Sequence, residues 1–255
     1  MPAAFGSLLH TYVVAPLRQT GRPYEMKSAR KIALETWELT IRPKKGAALR
    51  FDAGQFVWLN VGHSPFSLYE NPLSISSAPA IRPDIQFVIK EAGDMTCRLG
   101  EVTPGTVAYL DGPHGNLTLK GRRGKGVALI AGGMGIAPLI SIARQLAAEG
   151  HPRPMILLYG NRIAEQIIYE DELARLALGQ GTQVIHVLSE PPAGWNGLTG
   201  QIGHDTTEKA FAFDDAGEWL FLVCGPPAML DVVEEALIAL GVPTRQIVSE
   251  RFYYD

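Results

Sequence analysis

Apolar and polar positions alternate over short stretches in the first half of the chain and gather into longer blocks in the second. Between Tyr24 and about Leu119, β-rich runs such as Trp37 to Ile41, Gln55 to Leu59, Ile85 to Ile89 and Val107 to Leu110 are separated by Gly and Pro. Short strands with turn residues between them predict a small antiparallel β-barrel. From Gly126 onward, strand-like apolar runs alternate with helix-like segments. Val127 to Ala131, Met155 to Tyr159, Val184 to Leu188, Trp219 to Val223 and Ile247 to Glu250 read as strands, and Leu139 to Ala148, Asp171 to Leu178 and Leu230 to Leu240 as helices. That alternation predicts an α/β doubly wound parallel sheet.

The two patterns predict a two-domain chain: a barrel over residues 24–120, an α/β domain over 126–255, and an extension over 1–23. Lys120 to Gly126, rich in Gly and basic residues, is read as the linker. It is not a phosphate-binding P-loop, because Leu119 and Gly126 stand where that motif needs a glycine and a hydroxyl. The start of the chain lacks the basic segment and long apolar core of a signal peptide. The mildly apolar Leu8 to Leu17 is interrupted by His10, Thr11 and Pro16 and is too short to span a bilayer.

Composition narrows the function classes. With 255 residues and a formal net charge of −3, there is no general electrostatic reason to bind nucleic acid. Two cysteines, Cys97 and Cys224, exclude a disulfide framework and a four-cysteine zinc or iron–sulfur site supplied by this chain alone. The histidines His63, His114, His151, His186 and His204 show no metal-ligand spacing, so no metal is expected. A reducing, cytoplasmic setting fits this usage.

The first parallel strand runs into Gly132, Gly133, Met134, Gly135, Ile136, Ala137 and Pro138, and then into a helix expected to begin near Leu139. Glycines permit a tight turn and let backbone N–H groups approach a pyrophosphate, to which the helix N-terminus adds partial positive charge. The third glycine of the usual dinucleotide fingerprint is replaced by Pro138, so this is not an ordinary dehydrogenase turn.

The segment Gly133 to Pro138 resembles the Gly-x-Gly-Ile-Ala-Pro turn of the ferredoxin–NADP reductase superfamily. Further segments match in the same order: Asn71-Pro72-Leu73-Ser74 with Ile75-Ser76-Ser77, then Gly93-Asp94-Met95-Thr96, then Cys224-Gly225-Pro226-Pro227, and finally Ser249-Glu250-Arg251-Phe252. The resemblance spans Tyr24 to Phe252 and is strongest to the ferric reductase and NADPH oxidase branch. It implies an FAD-binding barrel, an NAD(P)-binding sheet, and an oxidoreductase that moves hydride from NAD(P)H to FAD and electrons onward to an external acceptor.

The resemblance assigns Ser74 to the flavin N5 region and Gly93, Asp94, Met95 and Thr96 to the FAD diphosphate. In the family signature a basic residue neutralises the flavin phosphate and an aromatic covers the isoalloxazine ring, whereas here Asn71 and Leu73 hold those places. A lost charge-assisted hydrogen bond is worth about 1.5–3 kcal/mol and a lost stacking pair about 0.5–1.5 kcal/mol, so weakened FAD binding is expected. Lys90 and Arg98 are candidates to compensate. His114 is expected close to the flavin, and Phe252 near flavin and nicotinamide.

By the same resemblance Cys224 lies near nicotinamide C4 without acting as a nucleophile, Gly225, Pro226 and Pro227 border the NAD(P)H site, and Glu250 stands by the reacting rings. Selectivity is expected after the second parallel strand at Asn161 and Arg162, with Tyr169 further on. A guanidinium suits the 2′-phosphate, which tilts the preference to NADPH. Asp171 and Glu172 read as a helix-start charge pair.

The implied acceptor is a haem-bearing membrane subunit or a ferric chelate. Tyr12 to Leu17 resembles the junction after the last membrane helix of that branch, which would hold the chain at the inner face of a membrane through a partner. A nucleotide-binding regulatory subunit without turnover is the alternative, and a plain NAD-dependent dehydrogenase is disfavoured by the barrel-like first half.

Overall fold

The structure is a computed structural model and describes residues 13–46, 48–67, 70–91 and 102–251. It contains two six-stranded sheets, one antiparallel and one parallel. The expected antiparallel barrel and doubly wound sheet are both found, the first as a half-barrel.

A short helix, α1 (Ala15–Thr20), leads into strands β1 (Tyr24–Ala33), β2 (Thr36–Pro43), β3 (Phe56–Val61), β4 (Asn71–Ser74), β5 (Ile85–Lys90) and β6 (Val107–His114). They pair antiparallel in the order β4-β3-β6-β1-β2-β5. The sheet curls until Ile75, just beyond β4, bridges Phe87 on β5 and draws its two edges together. Inward residues including Met26, Leu39, Ile41, Val57, Leu59 and Phe87 fill the interior. Unusually, β2 also buries the polar Glu38 and Thr40 of its other face, so part of that face is covered too.

The parallel sheet comprises β7 (Val127–Gly132), β8 (Met155–Asn161), β9 (Thr182–Leu188), β10 (Leu198–Thr199), β11 (Leu220–Gly225) and β12 (Ile247–Arg251). Between them run α2 (Ile136–Ala148), α3 (Glu170–Ala177), α4 (His204–Phe211) and α5 (Pro227–Ala239). The order β10-β9-β8-β7-β11-β12 starts at β7, moves outward, and returns to β11 on the other flank. This reversal opens a crevice at the strands' carboxyl ends, the usual ligand site of such sheets. β7 and β11 are buried along their whole length, as expected for strands covered on both faces. Helices α2 and α3 pack on one face and α4 and α5 on the other.

Three details differ from the sequence-based expectation. Helix α2 starts at Ile136 rather than near Leu139, so Pro138 sits inside its first turn. Strand β10 has only two residues, too few to show a period. Helix α4 reads as polar because it buries only Thr206, Thr207, Ala210 and Phe211; its N-terminus is fixed by the Gly203 N–H donating to Thr206 Oγ1 at 2.9 Å.

Candidate functional site

Strand β7 delivers the glycine turn to the crevice. Gly133 to Gly135 form one 3-10 turn, and Gly133 has φ +51°, a region that favours glycine. Gly135 is required for a different reason: a Cβ there would stand 2.0 Å from the Cys224 carbonyl oxygen, so the turn lies directly on β11. Ile136, Ala137 and Pro138 are buried in the core and hold the turn from beneath. The first N–H groups of α2 have no partner within the helix, as at any helix start.

A cleft of about 620 Å³ lies at this end of the sheet, bordered by Gly132, Gly133, Asn161, Arg162, Pro226 and Met229. These include the expected nucleotide-binding positions at Asn161, Arg162 and Pro226, while Gly225 is buried at the end of β11 and Pro227 opens α5. At the far side, Arg162 Nη1 pairs with Glu190 Oε2 at 3.2 Å. The Ser189 and Glu190 N–H groups donate to the carbonyls of Asn161 and Arg162, tying the ends of β8 and β9 together. Glu190 had no signal near β8 in the sequence, because only the parallel register of β9 brings it there. Tyr169, expected near this selectivity region, points elsewhere: its hydroxyl donates to Glu38 Oε2 on β2 at 2.7 Å.

Ser74, Phe56 and His114 lie side by side on neighbouring strands of the half-barrel. Phe56 on β3 is the register partner of Ser74 on β4 and of His114 on β6, and its ring centroid is 5.7 Å from that of His114. A Cβ on Gly115 would lie 3.0 Å from the Phe56 ring and 3.3 Å from Glu250 Oε2, which shows how closely β12 approaches this corner. Gly115 has φ +92°, so glycine is needed there on conformational grounds as well. Phe56, the register partner of Ser74 and His114, thus lies at the corner that Glu250 of β12 approaches. Phe56 was legible only as a strand residue, since its neighbours lie on strands remote in sequence.

Cys224 and Glu250 are register partners on β11 and β12. Cys224 is fully enclosed in the core. Burial raises its thiol pKa well above the usual value, and the neighbouring Glu250 raises it further. It is therefore a neutral thiol that shapes the wall, not a thiolate nucleophile. Burial also raises the carboxyl pKa of Glu250.

Asn71 and Leu73 lie on β4 and are half-buried, with Pro72 exposed between them. Leu73 packs against the barrel core. Lys90, at the end of β5, borders a cavity of about 180 Å³ shared with Gly132, Gly133 and Met134. Gly93, Asp94, Met95, Thr96, Arg98 and Phe252 lie outside the described residues.

The residues present suit a flavin. Ser74 Oγ is buried with no hydrogen-bond partner among the described residues. A buried hydroxyl without a partner costs free energy, and a cofactor's ring nitrogen would satisfy it. Phe56, the register partner of Ser74, is an aromatic on the neighbouring strand.

Known proteins bear on the same features. Residues 129–235 match the family described as "Oxidoreductase NAD-binding domain". The chain is 31% identical over 240 residues to ferredoxin–NADP reductase B of Sorangium cellulosum, covering 90% of this chain and 98% of that protein. The chain belongs to the ferredoxin–NADP reductase superfamily. Within that superfamily it is 30% identical over 220 residues to the reductase component of propane 2-monooxygenase from Mycolicibacterium goodii, covering 84% of this chain and 62% of that protein. The chain thus spans only about three fifths of the length of that curated relative. The flavohem-like FAD/NAD-binding domain of nitric oxide dioxygenase from Vibrio cholerae superposes with a TM-score of 0.79 at 22% identity, covering 91% of this chain and 98% of that one, a likeness of fold. No helix among the described residues is long and apolar enough to cross a membrane.

Proposed function

We propose that this chain is an FAD-dependent NAD(P)H oxidoreductase that passes electrons to an external one-electron acceptor. The observation that carries this reading is the corner where Phe56, register partner of Ser74 and His114, meets Glu250 across Gly115, while Cys224, the register partner of Glu250, lies against Gly135 of the glycine turn. Residues 24–120 form the flavin-binding unit and 126–255 the nucleotide-binding unit, with 1–23 as an extension toward a partner.

FAD, when bound, supplies hydride acceptance and the conversion of a two-electron donor into one-electron steps. The chain supplies binding and orientation. The Ser74 hydroxyl, without a partner among the described residues, is assigned to the flavin ring, and Phe56 offers an aromatic face. Asn71 to Leu73, Lys90, Gly93 to Thr96 and Phe252 complete the FAD site. The glycine turn and the start of α2 hold the nicotinamide dinucleotide's diphosphate, while Asn161, Arg162 and Gly225 to Pro227 line its path. Cys224 and Glu250 shape the nicotinamide subsite. No side chain is required to act as a general base.

Asn71 and Leu73 still lack the charge and ring of the family signature, so FAD is held weakly and lost during purification. A stoichiometric yellow cofactor retained through purification contradicts this. Arg162 favours NADPH by charge, but its pairing with Glu190 places a carboxylate where a 2′-phosphate would have to compete. The balance moves to NADH. The acceptor is a protein with its own redox centre or a ferric chelate; the pattern at Tyr12 to Leu17 supports a haem-bearing membrane subunit, with the chain on the cytoplasmic side.

The departures at Asn71 and Leu73 support a second reading, a regulatory subunit that binds nucleotide without turnover. NADH- and NADPH-dependent reduction of ferricyanide by the FAD-reconstituted protein separates the two. Turnover that requires added FAD supports the oxidoreductase; FAD binding without turnover supports the regulatory subunit.

A further inference from the structure

The two sheets are joined by a second set of contacts, made by residues that do not border the nucleotide cleft. Helix α2 begins at the glycine turn and carries Ser141, Arg144 and Gln145 on successive positions of one face. All three grip the barrel segment that follows Ser74. Ser141 Oγ donates to the Ser77 carbonyl at 2.7 Å in a buried bond. Arg144 Nη1 donates to the Ser76 carbonyl at 2.8 Å. Gln145 Oε1 accepts from the Ala80 N–H at 2.9 Å. A continuous helix of about 1.5 Å rise per residue therefore runs from the nucleotide turn to a clasp two residues beyond the flavin-facing serine.

Arg144 is itself immobilised. Its Nε and Nη2 form a bidentate pair with Glu172 at 2.6 and 2.7 Å, and its guanidinium lies 4.4 Å from the centre of the Tyr169 ring. Tyr169 takes φ +60°, uncommon for a bulky side chain. Such a conformation persists when the surroundings over-determine it, and here the ring is held under Arg144 while its hydroxyl reaches Glu38 on β2. The Arg144 side chain is only 9% exposed. Four of its five N–H donors are used for Glu172, Ser76 and Gln86, which commits the group to geometry.

We infer that Arg144, with Ser141 and Tyr169, is a positioning device that locks the nucleotide turn to the Ser74–Ser77 segment and so sets the separation of the two cofactor subsites. The inference rests on the proposed hydride transfer for its kinetic consequence, but not for the clasp itself. A lapse of about 1 Å in such alignment can lower a rate about 100-fold, while each subsite keeps its own binding contacts.

The test uses nitroxide labels on the exposed positions Lys45 and Lys209, introduced as Lys45→Cys and Lys209→Cys with Cys97→Ser. Distance distributions from pulsed dipolar spectroscopy are recorded on the FAD-free protein for wild type, Arg144→Gln, Arg144→Lys, Tyr169→Phe and Ser141→Ala. The expected result is a narrow distribution in wild type and a clearly broader one in Arg144→Gln, with partial recovery in Arg144→Lys. In the FAD-loaded protein the limiting rate of flavin reduction falls about 100-fold in Arg144→Gln, and the dissociation constant for NADH stays within about threefold, less than one decade of affinity.

If Arg144→Gln does not fold, Tyr169→Phe and Ser141→Ala carry the same comparison. Unchanged distributions in every folded variant overturn the clasp. Broadened distributions with an unchanged limiting rate overturn its role in alignment. Absence of flavin reduction in the wild type defeats the functional reading instead, and is recognised as such because the distances are measured without FAD.

Discussion

Cys224 and Glu250 sit opposite each other on β11 and β12, an enclosed thiol beside a largely buried carboxyl, at the point where the parallel sheet meets the half-barrel. Burial raises the Glu250 pKa, so the folded state favours its protonated form. Its stabilising contribution is fully present below the usual carboxylate pKa and is lost as pH rises through the raised value. Glu250→Gln, which stays neutral, should be more stable than wild type at neutral pH, and the difference should vanish on acidification. Thermal unfolding across pH 3 to 8, ~5 units about the carboxylate range, checks this; a difference independent of pH contradicts it.

Ser74→Ala removes a buried hydroxyl that has no partner among the described residues. In FAD-free protein it should stabilise the fold by about 1 kcal/mol. In FAD-loaded protein the sign should reverse, because the hydroxyl then has a partner. Urea unfolding with and without FAD measures both; the same sign in each removes Ser74 from the flavin site.

Gly135→Ala places a methyl group 2.0 Å from the Cys224 carbonyl, a backbone atom that cannot swing away. Overpacking of this kind costs about 1–3 kcal/mol. The turn should be displaced as well, weakening NADH binding at least about tenfold, or ~1.4 kcal/mol. Calorimetry of NADH binding to the folded variant checks the second part, and unchanged affinity means the turn does not hold the dinucleotide.

Glu190→Gln frees Arg162 from an exposed ion pair 3.2 Å long. Exposed pairs are worth at most about 1 kcal/mol, so the kcat/KM ratio should move toward NADPH by roughly fivefold. Arg162→Ala should reverse the shift. A ratio unmoved by either substitution places the 2′-position elsewhere.

Much of the parallel sheet was legible because its strands are continuous apolar blocks, and the glycine turn announced itself by following one of them. Strand β10 was not legible, being two residues long, and the polar helix α4 hides its buried face among Thr and Ala. The convergence at the site was only half visible. Ser74, Cys224 and Glu250 carried motif signals, whereas Phe56, Gly115 and Glu190 reach the site through strand register. The clasp was invisible for the same reason: Glu38, Ser76, Arg144 and Tyr169 are far apart in sequence, and Glu172 looked like an ordinary helix-start carboxylate.

In the proposed function the two halves together present a flavin to a reduced nicotinamide. Anaerobic mixing of FAD-reconstituted protein with NADH or NADPH tests it most directly. The flavin absorbance should bleach, faster with NADH, in a single turnover that needs no acceptor. A flavin that binds but is bleached by neither donor contradicts it.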